Sequence, residues 1–133
     1  MAKYLGVDYG TKRVGIAISD PAGTMAFPKE TIANDRALLP RLVDLVRDEN
    51  VSTIVIGESK DTDGADNAIM EEARAFADRL EKSLAVTVYF EPEYYSSVEA
   101  RRLAEEARGR SDMPVDAMAA AVILNRYLER IRG

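Results

Sequence analysis

The chain has 133 residues, a length typical of one domain, and 47% of its residues are hydrophobic against 31% charged. These proportions indicate a globular protein rather than a disordered segment. The sequence contains neither cysteine nor histidine, which excludes disulfides, thiolate nucleophiles, zinc sites and imidazole acid–base chemistry. The net charge of −5 argues against a broad basic face that coats nucleic acid, but it is compatible with an acidic site neutralised by metal ions.

No segment of the sequence is predicted to cross a membrane. The longest uninterrupted apolar run, residues 117–124, is much shorter than the ~20 residues that span a bilayer. Asp8 stands where a signal peptide would need its apolar stretch. From these two features we expect a cytoplasmic protein. Because the sequence has no internal repeat and no Pro/Gly-rich linker, we expect residues 1–133 to form a single domain.

The first third of the chain predicts three antiparallel strands. Residues 3–8 have the composition of a short buried strand. Residues 12–19 alternate apolar with small or polar side chains, which is typical of the second strand of a hairpin. After a turn that contains proline and glycine, residues 25–32 are expected to return as the third strand.

The rest of the chain alternates helices and strands. Asn34 is expected to cap a helix that ends near Asn50. The elements predicted to follow are a buried strand at 53–57, an amphipathic helix over 69–84, a strand at 85–91, a helix over 97–109 and a last helix from Pro114. We therefore predict an α/β fold, with a mixed five-stranded sheet of three antiparallel and then two parallel strands, and helices on both faces.

Three acids stand at the ends of predicted elements: Asp8 at the tip of the first strand, Glu93 just after the fifth, and Asp116 in the first turn of the last helix. Each has a purely structural alternative, as a turn residue, a solvated loop residue or a partner of the helix dipole. The apolar run after Asp116 predicts a buried helix, so a carboxylate there requires a compensating charge. Without histidine, the natural partner is Mg²⁺ or Mn²⁺. We expect the three acids to converge at the carboxyl ends of the first and fifth strands.

Two motifs carry a resemblance to a known family. The stretch LGVDYGTKRVGIAISD at residues 5–20 closely resembles the opening motif of the YqgF family of RNase H-like proteins. The stretch DAMAA at residues 116–120, with residues 124–128, resembles the family's closing motif. The resemblance extends over essentially the whole chain. It implies the RNase H-like fold and a nuclease activity, on pre-16S rRNA or on Holliday junctions.

The same resemblance implies which acids are catalytic and bind metal. Asp8 and Asp116 correspond to metal-binding acids of the family. The third family acid lies in an Asp-Glu-Arg motif followed by hydroxyl residues; here Glu93, Ser96 and Ser97 match it, while the flanking Asp and Arg are absent. Glu58, after the fourth strand, is an alternative third ligand, because the distantly related RuvC-type resolvases hold a metal ligand near that strand end.

We therefore predict a two-metal nuclease in which carboxylates hold the ions that activate water and stabilise the leaving oxygen. The resemblance implies 5′-end processing of pre-16S rRNA in ribosome biogenesis as the first candidate function, and resolution of a four-way DNA junction as the second. The residues expected to contact nucleic acid are basic or carry hydroxyls: Lys12, Arg13, Ser96, Ser97, Arg108 and Arg110. A homodimer is an assembly that the sequence leaves open.

Two other functions are compatible with the sequence. The altered motif around Glu93 fits a nucleic-acid-binding module that keeps the fold without turnover. The pattern Asp-x-Gly-Thr-Lys at residues 8–12 also fits the first phosphate loop of actin-like and sugar-kinase phosphotransferases, although those enzymes close two such domains around ATP. Cleavage in the presence of Mn²⁺ distinguishes the first alternative, and saturable ATP binding distinguishes the second.

Overall fold

The computed structural model of the chain describes residues 2–58, 68–92 and 115–132. Its strands are β1 (Lys3–Tyr9), β2 (Arg13–Ser19), β3 (Ala26–Ala33), β4 (Val51–Glu58) and β5 (Thr87–Pro92). Its helices are α1 (Leu38–Asp48), α2 (Ala68–Ser83) and α3 (Val115–Arg132). The helix predicted over 97–109 and the predicted helix start at Pro114 lie outside the described residues.

The five strands form one mixed sheet in the order β3-β2-β1-β4-β5. The strands β1, β2 and β3 pair antiparallel, whereas β4 pairs parallel with both β1 and β5. The predicted arrangement of three antiparallel strands followed by two parallel ones is confirmed. Because β1, β4 and β5 run in the same direction, their last residues lie at one end of the sheet, which we call the carboxyl end.

Helices cover both faces of the sheet, as predicted. On one face, Leu5 of β1 joins a core with Leu42 of α1 and Phe76 of α2. On the other face, Leu124 of α3 packs with Val55 of β4. Among the described helices, none combines the length and the apolar composition that a membrane span requires.

The helix α3 lies close to the backbone of β1. A Cβ atom on Gly6 would lie 2.8 Å from Cβ of Leu124 and 2.9 Å from the carbonyl oxygen of Ala120, so the close approach depends on glycine at this position. Side chains alternate between the two faces along a strand. Asp8, two residues after Gly6, therefore belongs to the face that α3 covers.

The expected helix cap at Asn34 is wrong. The side chain of Asn34 donates a hydrogen bond to the carbonyl oxygen of Gly10 at 2.8 Å, and its backbone N–H donates to the carbonyl oxygen of Lys12 at 2.9 Å. The helix α1 begins at Leu38, and its N-cap residue Ala37 makes no side-chain capping bond. Asn34 thus connects the end of β3 to the β1–β2 turn, and its side-chain amide bonds the carbonyl oxygen of Gly10 instead of capping a helix.

Candidate active site

Asp8 is a half-buried residue near the carboxyl end of β1. It pairs in register with Gly15 of β2. Residues paired in this way across antiparallel strands have Cα atoms about 5 Å apart and share one face of the sheet. Gly15 consequently leaves open space next to Asp8, on the face of α3.

Asp116 enters this space from α3. A Cβ atom on Gly15 would overlap the carbonyl oxygen of Asp116 and lie 2.9 Å from the amide nitrogen of Ala117. The first turn of α3 therefore rests directly on the backbone of β2, at the residue that pairs with Asp8. The structure thus brings both Asp8 and Asp116, two acids separated by most of the chain, next to Gly15 at the carboxyl end of the sheet.

Asp116 is a buried acid with an ion-pair partner. Asp116 is 7% exposed, and Nε of Arg13 donates a hydrogen bond to Oδ2 of Asp116 at 3.1 Å. The Arg13 side chain itself is 67% exposed. Burial of a carboxylate is costly without a compensating charge, and here the compensation comes from Arg13 and from the positive end of the α3 dipole.

Lys12 is the other basic residue of the opening motif. It lies in the exposed β1–β2 turn, and its backbone carbonyl oxygen accepts a hydrogen bond from the backbone N–H of Asn34. Its ammonium group forms no ion pair with any residue in the described part of the chain. Among the described residues, nothing compensates the positive charge of Lys12 at the turn that follows Asp8.

Glu58 ends β4 and is half-buried. Glu58 is an even number of residues from Ile54 and Ile56, so its side chain belongs to the same face of β4. Both isoleucines pack in the core beneath α1 and α2. The alternation of the strand thus assigns Glu58 to the face opposite Asp8 and Asp116. Its neighbour Gly57 belongs to the face that α3 covers.

A second buried acid, Glu91, was not predicted from the sequence. Glu91 of β5 is 2% exposed and pairs with Arg130 of α3. The guanidinium of Arg130 also lies 5.5 Å from the ring centroid of Tyr127, which stacks with Tyr89. Burial is the main cause that raises the pKa of the Tyr127 phenol. The only sequence signal was the alternation of Tyr89 and Glu91 with apolar residues, which is equally typical of a solvated face.

Five of the expected site residues lie outside the described residues: Glu93, Ser96, Ser97, Arg108 and Arg110. Within residues 2–58, 68–92 and 115–132, no group of three or more acids is arranged to hold a metal ion. The convergence of Glu93 with Asp8 and Asp116 therefore stays a prediction.

Comparison with known sequences identifies relatives along the whole chain. The RuvX family model, described as Holliday junction resolvase, matches residues 2–130. A protein of Nitratidesulfovibrio vulgaris (strain DSM 19637 / Miyazaki F) named "Putative pre-16S rRNA nuclease" is 39% identical over 132 residues, which cover 95% of this chain and 92% of that protein. A protein of the same name from Lactobacillus johnsonii is 35% identical over 139 residues, with coverage of 98% and 97%.

Solved structures with the same fold are more distant in sequence. Thermus thermophilus RuvC in complex with a Holliday junction substrate has a TM-score of 0.64 at 15% identity, over 98% of this chain and 96% of that one. The fowlpox virus resolvase in complex with Holliday junction DNA has a TM-score of 0.61 at 10% identity, over 98% and 99%. The chain therefore has the RNase H-like fold of RuvC, as the opening motif implied.

Proposed function

The chain belongs to the RuvX family of Holliday junction resolvases, and from this premise we propose that it is a metal-dependent nuclease that hydrolyses phosphodiester bonds in structured nucleic acid. The observation that carries this proposal is the meeting of Asp8 and Asp116 at Gly15. Two carboxylates that share a corner of the fold repel each other, which favours a bound cation beside them. At a site made of carboxylates, bound metal ions can supply both an activated water and stabilisation of the leaving oxygen.

The residues at this corner suit Mg²⁺ or Mn²⁺. Their side chains offer oxygen donors, which both cations prefer. The guanidinium of Arg13 beside Asp116 supports the fit, since the corner already accommodates a cation next to this carboxylate. We propose that Asp8, Glu93 and Asp116 hold two ions. When bound, such a pair of ions supplies an activated water and stabilises the leaving oxygen.

Other residues of the chain have supporting roles in this proposal. Gly15 permits Asp116 to approach β2, and Lys12 and Arg13 contact substrate phosphates beside the acids. The remaining contacts to nucleic acid are proposed for residues outside the described ranges, Ser96, Ser97, Arg108 and Arg110. Replacement of one phosphate contact should weaken binding and lower its salt dependence without changing which substrate is preferred.

Glu93 is proposed as the third acid in preference to Glu58. The position of Glu58 along β4 supports this choice, because the alternation of the strand assigns its side chain to the face covered by α1 and α2. Glu93→Gln should abolish cleavage and weaken Mn²⁺ binding, whereas Glu58→Gln should leave both within a few-fold of wild type. The reverse result would move the third ligand to β4. Loss in both variants would indicate four carboxylates.

Pre-16S rRNA is the first proposed substrate, with processing at its 5′ end during ribosome biogenesis. Relatives that are 35–39% identical over at least 95% of the chain bear this substrate in their names. A four-way DNA junction is the second, supported by the description of the family and by the junction complexes of RuvC and the fowlpox resolvase. A homodimer and a cytoplasmic location stay predictions. Size-exclusion chromatography with light scattering tests the first, and cell fractionation tests the second.

One assay tests the proposed function against its alternatives. Purified protein is incubated with precursor rRNA, a four-way DNA junction and single-stranded RNA, each in Mg²⁺, in Mn²⁺ and in chelator. We expect cleavage of precursor rRNA that requires metal and is absent in Asp8→Asn. Binding without cleavage in all conditions would identify a binding module. Cleavage that survives in Asp8→Asn would indicate a contaminant.

A further inference from the structure

Arg13 contacts the candidate metal site in a way that phosphate binding alone does not explain. Its backbone lies in β2, paired with Ala33 of β3. Its side chain extends to α3 and places Nε 3.1 Å from Oδ2 of Asp116. The guanidinium therefore uses a carboxylate oxygen that a metal ion at Asp116 would need.

We propose that Arg13 is a built-in counter-ion of Asp116 which a divalent metal displaces, and that the released guanidinium then binds a phosphate of the substrate. The inference deepens the proposed function and rests on it, since it requires a metal at Asp116. It assigns Arg13 two successive partners, a carboxylate before metal binds and a phosphate afterwards. Arg13 would thus couple metal loading to substrate binding.

The unequal burial of the two partners supports the exchange. Asp116 is 7% exposed, so its carboxylate is largely shielded from solvent where it lies. The Arg13 side chain is 67% exposed, so its guanidinium can leave the carboxylate and become hydrated at little cost. A divalent ion repels a guanidinium that stays within a few ångströms of it. The exposed partner is therefore the one that moves.

The opposite role for Arg13 makes an opposite prediction. If Arg13 only oriented Asp116 for the metal, its removal would weaken metal binding. If Arg13 competes with the metal, its removal strengthens metal binding, because one positive charge no longer has to be displaced. The sign of the change in Mn²⁺ affinity thus distinguishes a competing counter-ion from a positioning residue.

Arg41 provides a matched control. Its Nη2 atom lies 2.7 Å from Oε1 of Glu30, and both side chains are partly exposed. This pair joins α1 to β3, on the face opposite α3. Arg41→Gln removes one positive charge and one ion pair, as Arg13→Gln does, but leaves Asp116 unchanged.

The experiment measures Mn²⁺ binding to wild type, Arg13→Gln, Arg13→Lys and Arg41→Gln by calorimetry without nucleic acid. We expect Arg13→Gln to bind Mn²⁺ about two- to fivefold more tightly, the range that corresponds to one partly exposed ion pair. Arg13→Lys should stay near wild type because it keeps the charge, and Arg41→Gln should be unchanged. Arg13→Gln should also bind precursor rRNA more weakly than wild type does at saturating Ca²⁺, which is chosen to load the site without cleavage.

A second readout follows the guanidinium itself. In nitrogen-15 NMR spectra, the Nε–H signal of Arg13, assigned by its absence in Arg13→Lys, should shift on titration with Mg²⁺ while that of Arg41 does not. Mn²⁺ affinity in Arg13→Gln that equals or falls below that of wild type would overturn the exchange while leaving the proposed nuclease intact. Absence of saturable Mn²⁺ binding in wild type would overturn both.

Discussion

Gly15 and Asp116 are in direct backbone contact, because a Cβ atom at residue 15 would overlap the carbonyl oxygen of Asp116. Gly15 is also the register partner of Asp8. The separation of the two acids therefore depends on a residue that has no side chain. Any substitution at Gly15 acts on the site by pushing α3 away from β2.

We expect Gly15→Ala to lower the free energy of unfolding by about 1–3 kcal/mol or more, as overpacking against a rigid backbone does. Gly6→Ala should cost less, because its Cβ atom would lie 2.8 Å from a Leu124 side-chain atom and 2.9 Å from the carbonyl oxygen of Ala120, so a smaller shift relieves the contact. Urea unfolding of both variants gives the comparison. Equal stability of Gly15→Ala and wild type would contradict the close contact of α3 with β2.

The sequence predicted those features that depend on neighbours along the chain. Alternation of Val14 and Ile16 with smaller residues predicted β2, and Asp8 was expected at the end of the first strand. Individual side-chain contacts with distant partners were not predicted. The amide of Asn34 bonds Gly10, 24 residues away, and it therefore does not cap the helix as expected.

The pairing of charges in the site depended on distant residues as well. Arg13 and Asp116 are 103 positions apart, and Glu91 and Arg130 are 39 apart. Neither pair has a periodic signal in the sequence, because each forms only when α3 packs across the sheet. Both charges of the first pair were expected at the site, but the bond between them was not.

Asp116→Asn should lose most of the stabilisation that metal gives to the folded protein. An ion that binds only the folded state at 100 times its dissociation constant stabilises it by about 2.7 kcal/mol, so Mn²⁺ should raise the melting temperature of wild type. The control Asp44→Asn changes an exposed acid of α1 and should keep the full increase. An equal increase in wild type and Asp116→Asn would exclude Asp116 as a ligand.

The ion pair of Glu91 and Arg130 should respond unequally to loss of either partner. Arg130→Gln leaves the carboxylate of Glu91 buried without its guanidinium and should cost about 3 kcal/mol, whereas Glu91→Gln leaves Arg130 half-exposed to water and should cost about 1 kcal/mol. Thermal or urea unfolding at neutral pH measures both values. A larger loss in Glu91→Gln would mean that the buried carboxylate has other compensation.

Stability should fall in acid partly through Glu49. A hydrogen bond from Lys3, aided by the charge of Lys29, lowers the pKa of Glu49 below its ordinary value of 4.5. A carboxyl group with a lowered pKa in the folded state stabilises the protein above that ordinary value, and the stabilisation is lost as the pH falls through the folded pKa. Glu49→Gln should therefore flatten the dependence of unfolding free energy on pH below about pH 5. An unchanged slope would show that the lysines do not stabilise the charged form.

The most direct test of the nuclease assignment is to locate Mn²⁺ by anomalous X-ray diffraction in crystals of the wild-type protein grown with the ion. We predict an anomalous peak within coordination distance of the carboxylates of Asp8 and Asp116, with Glu93 as a further ligand and the guanidinium of Arg13 moved away from Asp116. Mn²⁺ bound elsewhere, with Arg13 still on Asp116 in a protein that cleaves precursor rRNA, would contradict the assignment of these acids as the catalytic site.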